Sequence, residues 1–142
     1  MPDRYYAKIT FPSAACDKVR AAIQKTLEKG GILYRSASGI TVIVHDYVPN
    51  GEFEDLEACL IQNQIPFDRY SGAFAEQMPR VRKYRLPKLD IEYNVLEENG
   101  NPVSFVPVSK LRRLLALKPQ EAILELKILI NQADPPVPPL VA

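Results

Sequence analysis

Asn50–Gly72, NGEFEDLEACLIQNQIPFDRYSG, is the stretch on which the fold turns. Pro49-Asn50-Gly51 breaks the extended run before it and offers Asn50 as a helix N-cap. Glu52, Glu54, Asp55 and Glu57 load the first turns with negative charge. Each such charge favours a helix N-terminus by roughly 0.3–1 kcal/mol at low salt. Phe53, Leu56, Leu60 and Ile61 supply the apolar stripe. Asn63-Gln64 ends the helix, because Pro66 disfavours helical backbone at Ile65. Ile65, Phe67 and Arg69 then alternate with Asp68 and Tyr70 as a short strand. Every feature of the stretch has a structural reason, and it reads as a helix-to-strand joint.

Upstream, Arg4 to Phe11 alternates as a strand with Tyr5, Ala7, Ile9 and Phe11 on one side. Ser13 is placed to cap a helix carrying Val19, Ala22, Ile23 and Leu27, and Gly30-Gly31 ends it. Residues 32–37 and 40–48 flank Ser38-Gly39 and predict a tight hairpin. A two-residue loop would pair Arg35 with Val42 and Leu33 with Val44, leaving Tyr34, Thr41, Ile43 and His45 on the opposite face. The order is strand, helix, two strands, helix, strand. This predicts an α+β fold with a ferredoxin-like βαββαβ core and an antiparallel sheet over residues 1–75.

Residues 76–133 are expected to pack on that core. Arg80–Arg85 is charged on both faces and reads as an extended connector or an edge strand. Leu89, Ile91, Tyr93 and Val95 begin a second hairpin that turns at Glu98-Asn99-Gly100. A three-residue loop pairing Val95 with Val103 and Tyr93 with Phe105 keeps its apolar face whole. Two helices follow: one capped by Ser109, and one starting at Pro119 with Ala122, Ile123, Leu126, Leu129 and Ile130 as its stripe. Residues 134–142 form a proline-rich tail expected to be extended and mobile.

The 142 residues carry a formal charge of +1, so no global field draws the chain to nucleic acid or membrane. Residues 1–11 carry no export signal, and no apolar run approaches the ~20 residues of a membrane span, which predicts a cytoplasmic protein. Cys16 and Cys59 are read as reduced thiols. One histidine and two distant cysteines do not make a metal site, and no phosphate-binding loop or nucleophile motif occurs. No catalytic residue, metal or cofactor is expected. An enzyme would need a pocket around His45.

Binding is the remaining class. Arg80, Arg82, Lys83, Tyr84 and Arg85 form a basic segment, and Glu52, Glu54 and Asp55 an acidic helix start. Either suits a protein partner. The basic segment also suits RNA or DNA, joined by Tyr6 and Lys8 if the sheet face away from the helices is open. Cover of that face by residues 88–130 is the favoured reading, because their own apolar stripes need burial.

Asn50-Gly-Glu-Phe-Glu-Asp-Leu-Glu with Ile65-Pro-Phe-Asp-Arg-Tyr70 resembles a segment of small uncharacterised proteins of bacterial phages and plasmids, over residues 40–72. The resemblance implies a mobile-element origin and no assigned activity. Proteins of that kind often bind a host macromolecule. The sequence therefore points to a non-enzymatic interaction module, an inhibitor or regulator of a bacterial nucleic-acid-handling or defence complex. A nucleic-acid binder is the alternative.

Overall fold

A computed structural model describes residues 4–73 and 77–142. β1 (Arg4–Pro12), α1 (Arg20–Glu28), β2 (Ile32–Arg35), β3 (Ile40–Pro49), α2 (Glu54–Gln62) and β4 (Phe67–Ser71) follow one another in the expected order. β5 (Arg80–Arg85) and β6 (Leu89–Asn94) extend the same sheet. Its order is β2-β3-β1-β4-β5-β6, with every neighbouring pair antiparallel. The fold is α+β.

The core lies between the sheet and the helix pair α1–α2. Ala7, Ile9 and Phe11 of β1, Ile43 of β3 and Phe67 of β4 are fully buried against Val19, Ile23, Leu56 and Leu60. Full burial of each large side chain is worth about 1.5–3 kcal/mol, so this face fixes which way every strand must sit.

That constraint overturns the first hairpin register. Arg35 pairs with Thr41 and Leu33 with Ile43, one residue away from the expected pairing. Ile9 pairs with Ile43, which puts Ile43 and Thr41 on the core side and Val42 and Val44 with Tyr34 on the other. Residues 36–39 close a longer loop: the Ser36 N–H donates to the Ile40 carbonyl at 2.8 Å, and Gly39 takes φ +84°.

Three expected caps are also absent; Ser109 lies inside the helix Val108–Leu114, whose N-cap position is Pro107. The Ser13 hydroxyl bonds Thr41 at 2.7 Å, and Ser13–Val19 forms a 3-10 helix before α1. Asn50 sits in a turn at φ +54°, and the N-terminus of α2 is instead closed by Glu57, which accepts the Phe53 N–H at 2.7 Å.

Arg80–Arg85 is an interior strand, neither connector nor edge. The expected boundary at residue 75 lies outside the described residues, and the sheet runs on through β5 and β6. Beyond β6, Asn99 and Gly100 at φ +52° and +79° form a two-residue turn joining β7 (Leu96–Glu98) to β8 (Asn101–Val103). Leu96, not Val95, faces Val103. Val95 is withdrawn from the hairpin: its N–H donates to the Pro79 carbonyl at 2.9 Å and its side chain is buried beside Tyr70 and Val81.

α3 (Val108–Leu114) and α4 (Pro119–Ala133) pack on each other and bury no residue fully. No described helix is long and apolar enough to cross a membrane. The proline-rich tail lies against the sheet: Arg85 Nε donates to the Pro138 carbonyl at 2.8 Å, and Ala142 abuts Gly39.

Two glycines share a left-handed backbone but differ in surroundings. A Cβ on Gly51 (φ +66°) would meet the Tyr5 ring at 2.5 Å, whereas one on Gly100 (φ +79°) would meet nothing within 4 Å. Gly100→Ala should cost about 1–2 kcal/mol from backbone strain alone. Gly51→Ala should add about 1–3 kcal/mol of overpacking. Urea unfolding of the two variants checks the difference.

Candidate functional site

Cross-strand pairing aligns Leu33, Ile43, Ile9, Arg69, Arg82 and Glu92 in one row across all six strands on the helix side. The row is apolar on β2, β3 and β1, and charged on β4, β5 and β6. α2 lies over the change of character, with Leu56 and Leu60 in the core and Glu57 turned to the charged half.

Arg69 is 1% exposed, and its guanidinium donates to Glu57 Oε1 at 2.8 Å and also to Glu92. Arg82 reaches the same Glu57 oxygen at 3.2 Å and forks onto both oxygens of Asp90 at 2.9 and 2.8 Å. Arg80 donates to Glu52 at 3.1 Å and to the Tyr5 hydroxyl at 3.1 Å. Three arginines and four carboxylates thus close on one another. Burial pushes the Glu57 carboxyl upward against the opposing pull of Arg69 and Arg82. The hydrogen bonds from Arg82 hold Asp90 below its ordinary value, and Asp90 in turn raises Arg82.

The expected basic segment is therefore divided between faces. Arg80 and Arg82 face α2 and are paired there. Tyr84 is buried against Phe67 at a ring-centroid distance of 5.7 Å. Arg85 lies on the opposite face, 2.8 Å from Asp68. Lys83 is also on that opposite face, with no partner among the described residues. Of the acidic residues, Glu52 joins the network, Glu54 is exposed, and Asp55 lies 4.0 Å from Lys25. Arg80–Glu52 is the one ion pair that joins the two expected patches among the described residues. Glu57, Arg69, Asp90 and Glu92 were not singled out from the sequence. The signal was there: Arg80-x-Arg82 and Asp90-x-Glu92 repeat at the strand period on two adjacent runs.

On the opposite face, Tyr6 meets Tyr70 edge-on at 6.1 Å, and the Tyr70 hydroxyl donates to Glu97. Burial raises both phenols, with the Glu97 charge adding to it. Tyr70, Val81 and Val95 make a second small core there. Cover is partial: β7, β8 and the tail reach this face, while α3 and α4 remain largely in solvent. Lys8 stands on this face, half-buried and unpaired among the described residues.

His45 lines a groove of about 420 Å3 between the end of α1 and the start of α2. Its Nε2 lies 2.9 Å from the Lys29 carbonyl, and the Tyr47 N–H donates to Nδ1 at 3.0 Å. That geometry places the proton on Nε2, which donates to Lys29. Both ring nitrogens are engaged by backbone, so the ring clamps α1 to β3 and offers no free nitrogen as a base. Cys16 and Cys59 are free thiols. Among the described residues no three metal-ligating side chains gather.

α3 and α4 carry the largest exposed apolar surface. Leu115 is 87% exposed, Leu124 61%, Val108 60% and Ile123 55%. On α4 only Ala122, Leu129 and Ala133 are half-buried, and they mark the inward stripe. Ile123 with Ile130, and Leu124 with Ile128, form two further stripes. A helix apolar on several sides is ordinarily covered. Lys110, Arg112, Arg113 and Lys118 flank this surface without ionic partners among the described residues. Compared with family models, curated proteins and solved structures, the chain gives no match.

Two outcomes test the charge network. Arg69→Ala should destabilise by about 3–5 kcal/mol, since it strips the buried Glu57 of its closest cation; chemical denaturation measures it. Asp90 is 40% exposed, so Asp90→Asn should cost only about 0.5–1 kcal/mol at neutral pH. The folded-state value of Asp90 is lowered, so its stabilisation is present above the unfolded value and lost as pH falls through the folded one. The gap between wild type and Asp90→Asn should therefore close in acid, as read by unfolding at stepped pH.

Proposed function

We propose that the chain is a cytoplasmic, non-enzymatic protein-interaction module on a ferredoxin-like core, docking its partner through the α3–α4 hairpin. The observation that carries this reading is the exposed apolar surface of those helices. Monomeric soluble proteins rarely leave so many large apolar side chains together in water unless a partner covers them. The strand order of the first four strands, β2-β3-β1-β4, supports the ferredoxin-like assignment.

The unpaired cations beside the patch favour a partner with an acidic rim around an apolar groove, because like charge at a rim is costly. On the resemblance expected for residues 40–72, the proposal extends to a role as inhibitor or regulator of a bacterial nucleic-acid-handling or defence complex. The basic segment of β5 contributes little to nucleic-acid binding on this reading, since Arg80 and Arg82 are held by carboxylates.

Leu124→Gln with Ile128→Gln tests the docking surface. Both residues are half or more exposed, so stability should change by no more than about 1 kcal/mol. Affinity purification from bacterial cytosol with quantitative mass spectrometry should recover a specific protein with wild type. The variant should lose it by tenfold or more, as truncation of interface anchors does. Equal recovery by both proteins, or recovery of nothing specific, would remove the reading.

A further inference from the structure

We infer that the sheet face away from α1 and α2 holds a binding site for a small phosphate-bearing molecule, formed by Lys8 and Lys83 with Thr10, Tyr93 and Ser104. These residues line one cavity of about 280 Å3, roofed by the chain around Pro102 and Ser104.

The case begins with a contrast. On the helix side, Arg69, Arg80 and Arg82 each have carboxylate partners. On this side, Arg85 takes Asp68 at 2.8 Å, and Lys8 and Lys83 have no ionic or hydrogen-bonding partner among the described residues. Both lysines are half-buried, where an unmatched ammonium is less well hydrated than at an open surface. The hydroxyls of Thr10, Tyr93 and Ser104 are likewise unengaged among the described residues. The cavity therefore collects five side chains able to donate. Of its two carboxylates, Asp68 is already held by Arg85, and Asp134 is exposed at the end of α4.

Register brings the lysines together. Lys8 of β1 pairs with Tyr70 of β4, and Lys83 of β5 pairs with Asp68 two residues away on the same strand and face. Strand spacing and rise then separate their Cα atoms by about 12 Å, so two flexible four-carbon stems can converge on one anion between them. Donors approach from β1, β5, β6 and the roof. This suits a tetrahedral oxyanion, which takes donors from several directions. A planar carboxylate is better matched by an arginine fork, and the Arg85 guanidinium at this face already donates to the backbone carbonyls of Pro138, Phe67 and Tyr84. The volume lies below that of ordinary ligand pockets and admits a phosphate or pyrophosphate group with little more.

The test is a titration of the isotope-labelled full chain with inorganic phosphate and with pyrophosphate, followed by NMR against chloride at matched ionic strength. Lys8→Gln and Lys83→Gln are measured in parallel, with Lys127→Gln on α4 as the control. Saturable shifts should concentrate on Lys8, Thr10, Lys83 and Ser104. Either cavity variant, its unperturbed spectrum showing that it is folded, should weaken pyrophosphate about tenfold or more. The control should leave affinity unchanged. Uniform, non-saturating shifts, or equal affinity in all four proteins, would overturn the site. So would shifts at these residues with a single-stranded decanucleotide but with neither phosphate nor pyrophosphate, since the phosphate would then come from a nucleic-acid strand.

Discussion

The contact between Arg69 and Glu57 joins α2 to the far half of the sheet, and much of the molecule is arranged around it. Both groups are almost wholly removed from water, at 1% and 2% exposure. Removing two charges from water costs several kcal/mol per ion unless hydrogen bonds replace hydration. Here they do. Glu57 receives Arg69, Arg82 and the Phe53 N–H, and Arg69 adds Glu92. The same carboxylate thus stands in for a missing N-cap and anchors two strands. A one-residue slip of β4 would carry Arg69 to the opposite face and leave Glu57 without its closest partner. The pair therefore specifies register as well as holding the helix.

This explains how a charged strand comes to lie inside a sheet. β5 is flanked by β4 and β6, and its inward cations are matched by acids on α2, on the segment just before it and on β6. The apolar row of β2, β3 and β1 ends where Arg69 begins, so the sheet carries an oily half and an ionic half on one face. α2 fits both, with its leucines toward the first and Glu57 toward the second.

The sequence made some of this readable and hid the rest for physical reasons. The alternation of Tyr5, Ala7, Ile9 and Phe11 and the stripe of Phe53, Leu56 and Leu60 are local patterns, and the elements they predict are present. Hairpin registers are less local. Ser38-Gly39 looks like a two-residue turn, but the pairing of Ile9 with Ile43 outweighs the turn signal. At the second hairpin, preserving apolar alternation pointed to Val95, whereas Val95 is taken by contacts with Tyr70 and Val81. Arg80–Arg85 read as a solvated run because charge on both faces of a strand usually means exposure. Only the partners on Glu57, Asp90 and Glu92 show otherwise, and two of these lie on a separate strand.

The same accounting separates what holds the fold from what remains for function. Of the charges that stood out in the sequence, Arg80, Arg82 and Glu52 turn toward the helix side and are paired there, so they have little valence left for a partner. Other groups left incomplete among the described residues lie elsewhere: apolar stripes on α3 and α4 without cover, and lysines and hydroxyls on the far sheet face without acceptors. Neither set is needed to close the core between the sheet and α1–α2, since none of those side chains belongs to it. A protein whose stabilising contacts and unsatisfied groups are so well separated can change the second without losing the first. That separation makes the α3–α4 hairpin and the Lys8–Lys83 face accessible to substitution one at a time.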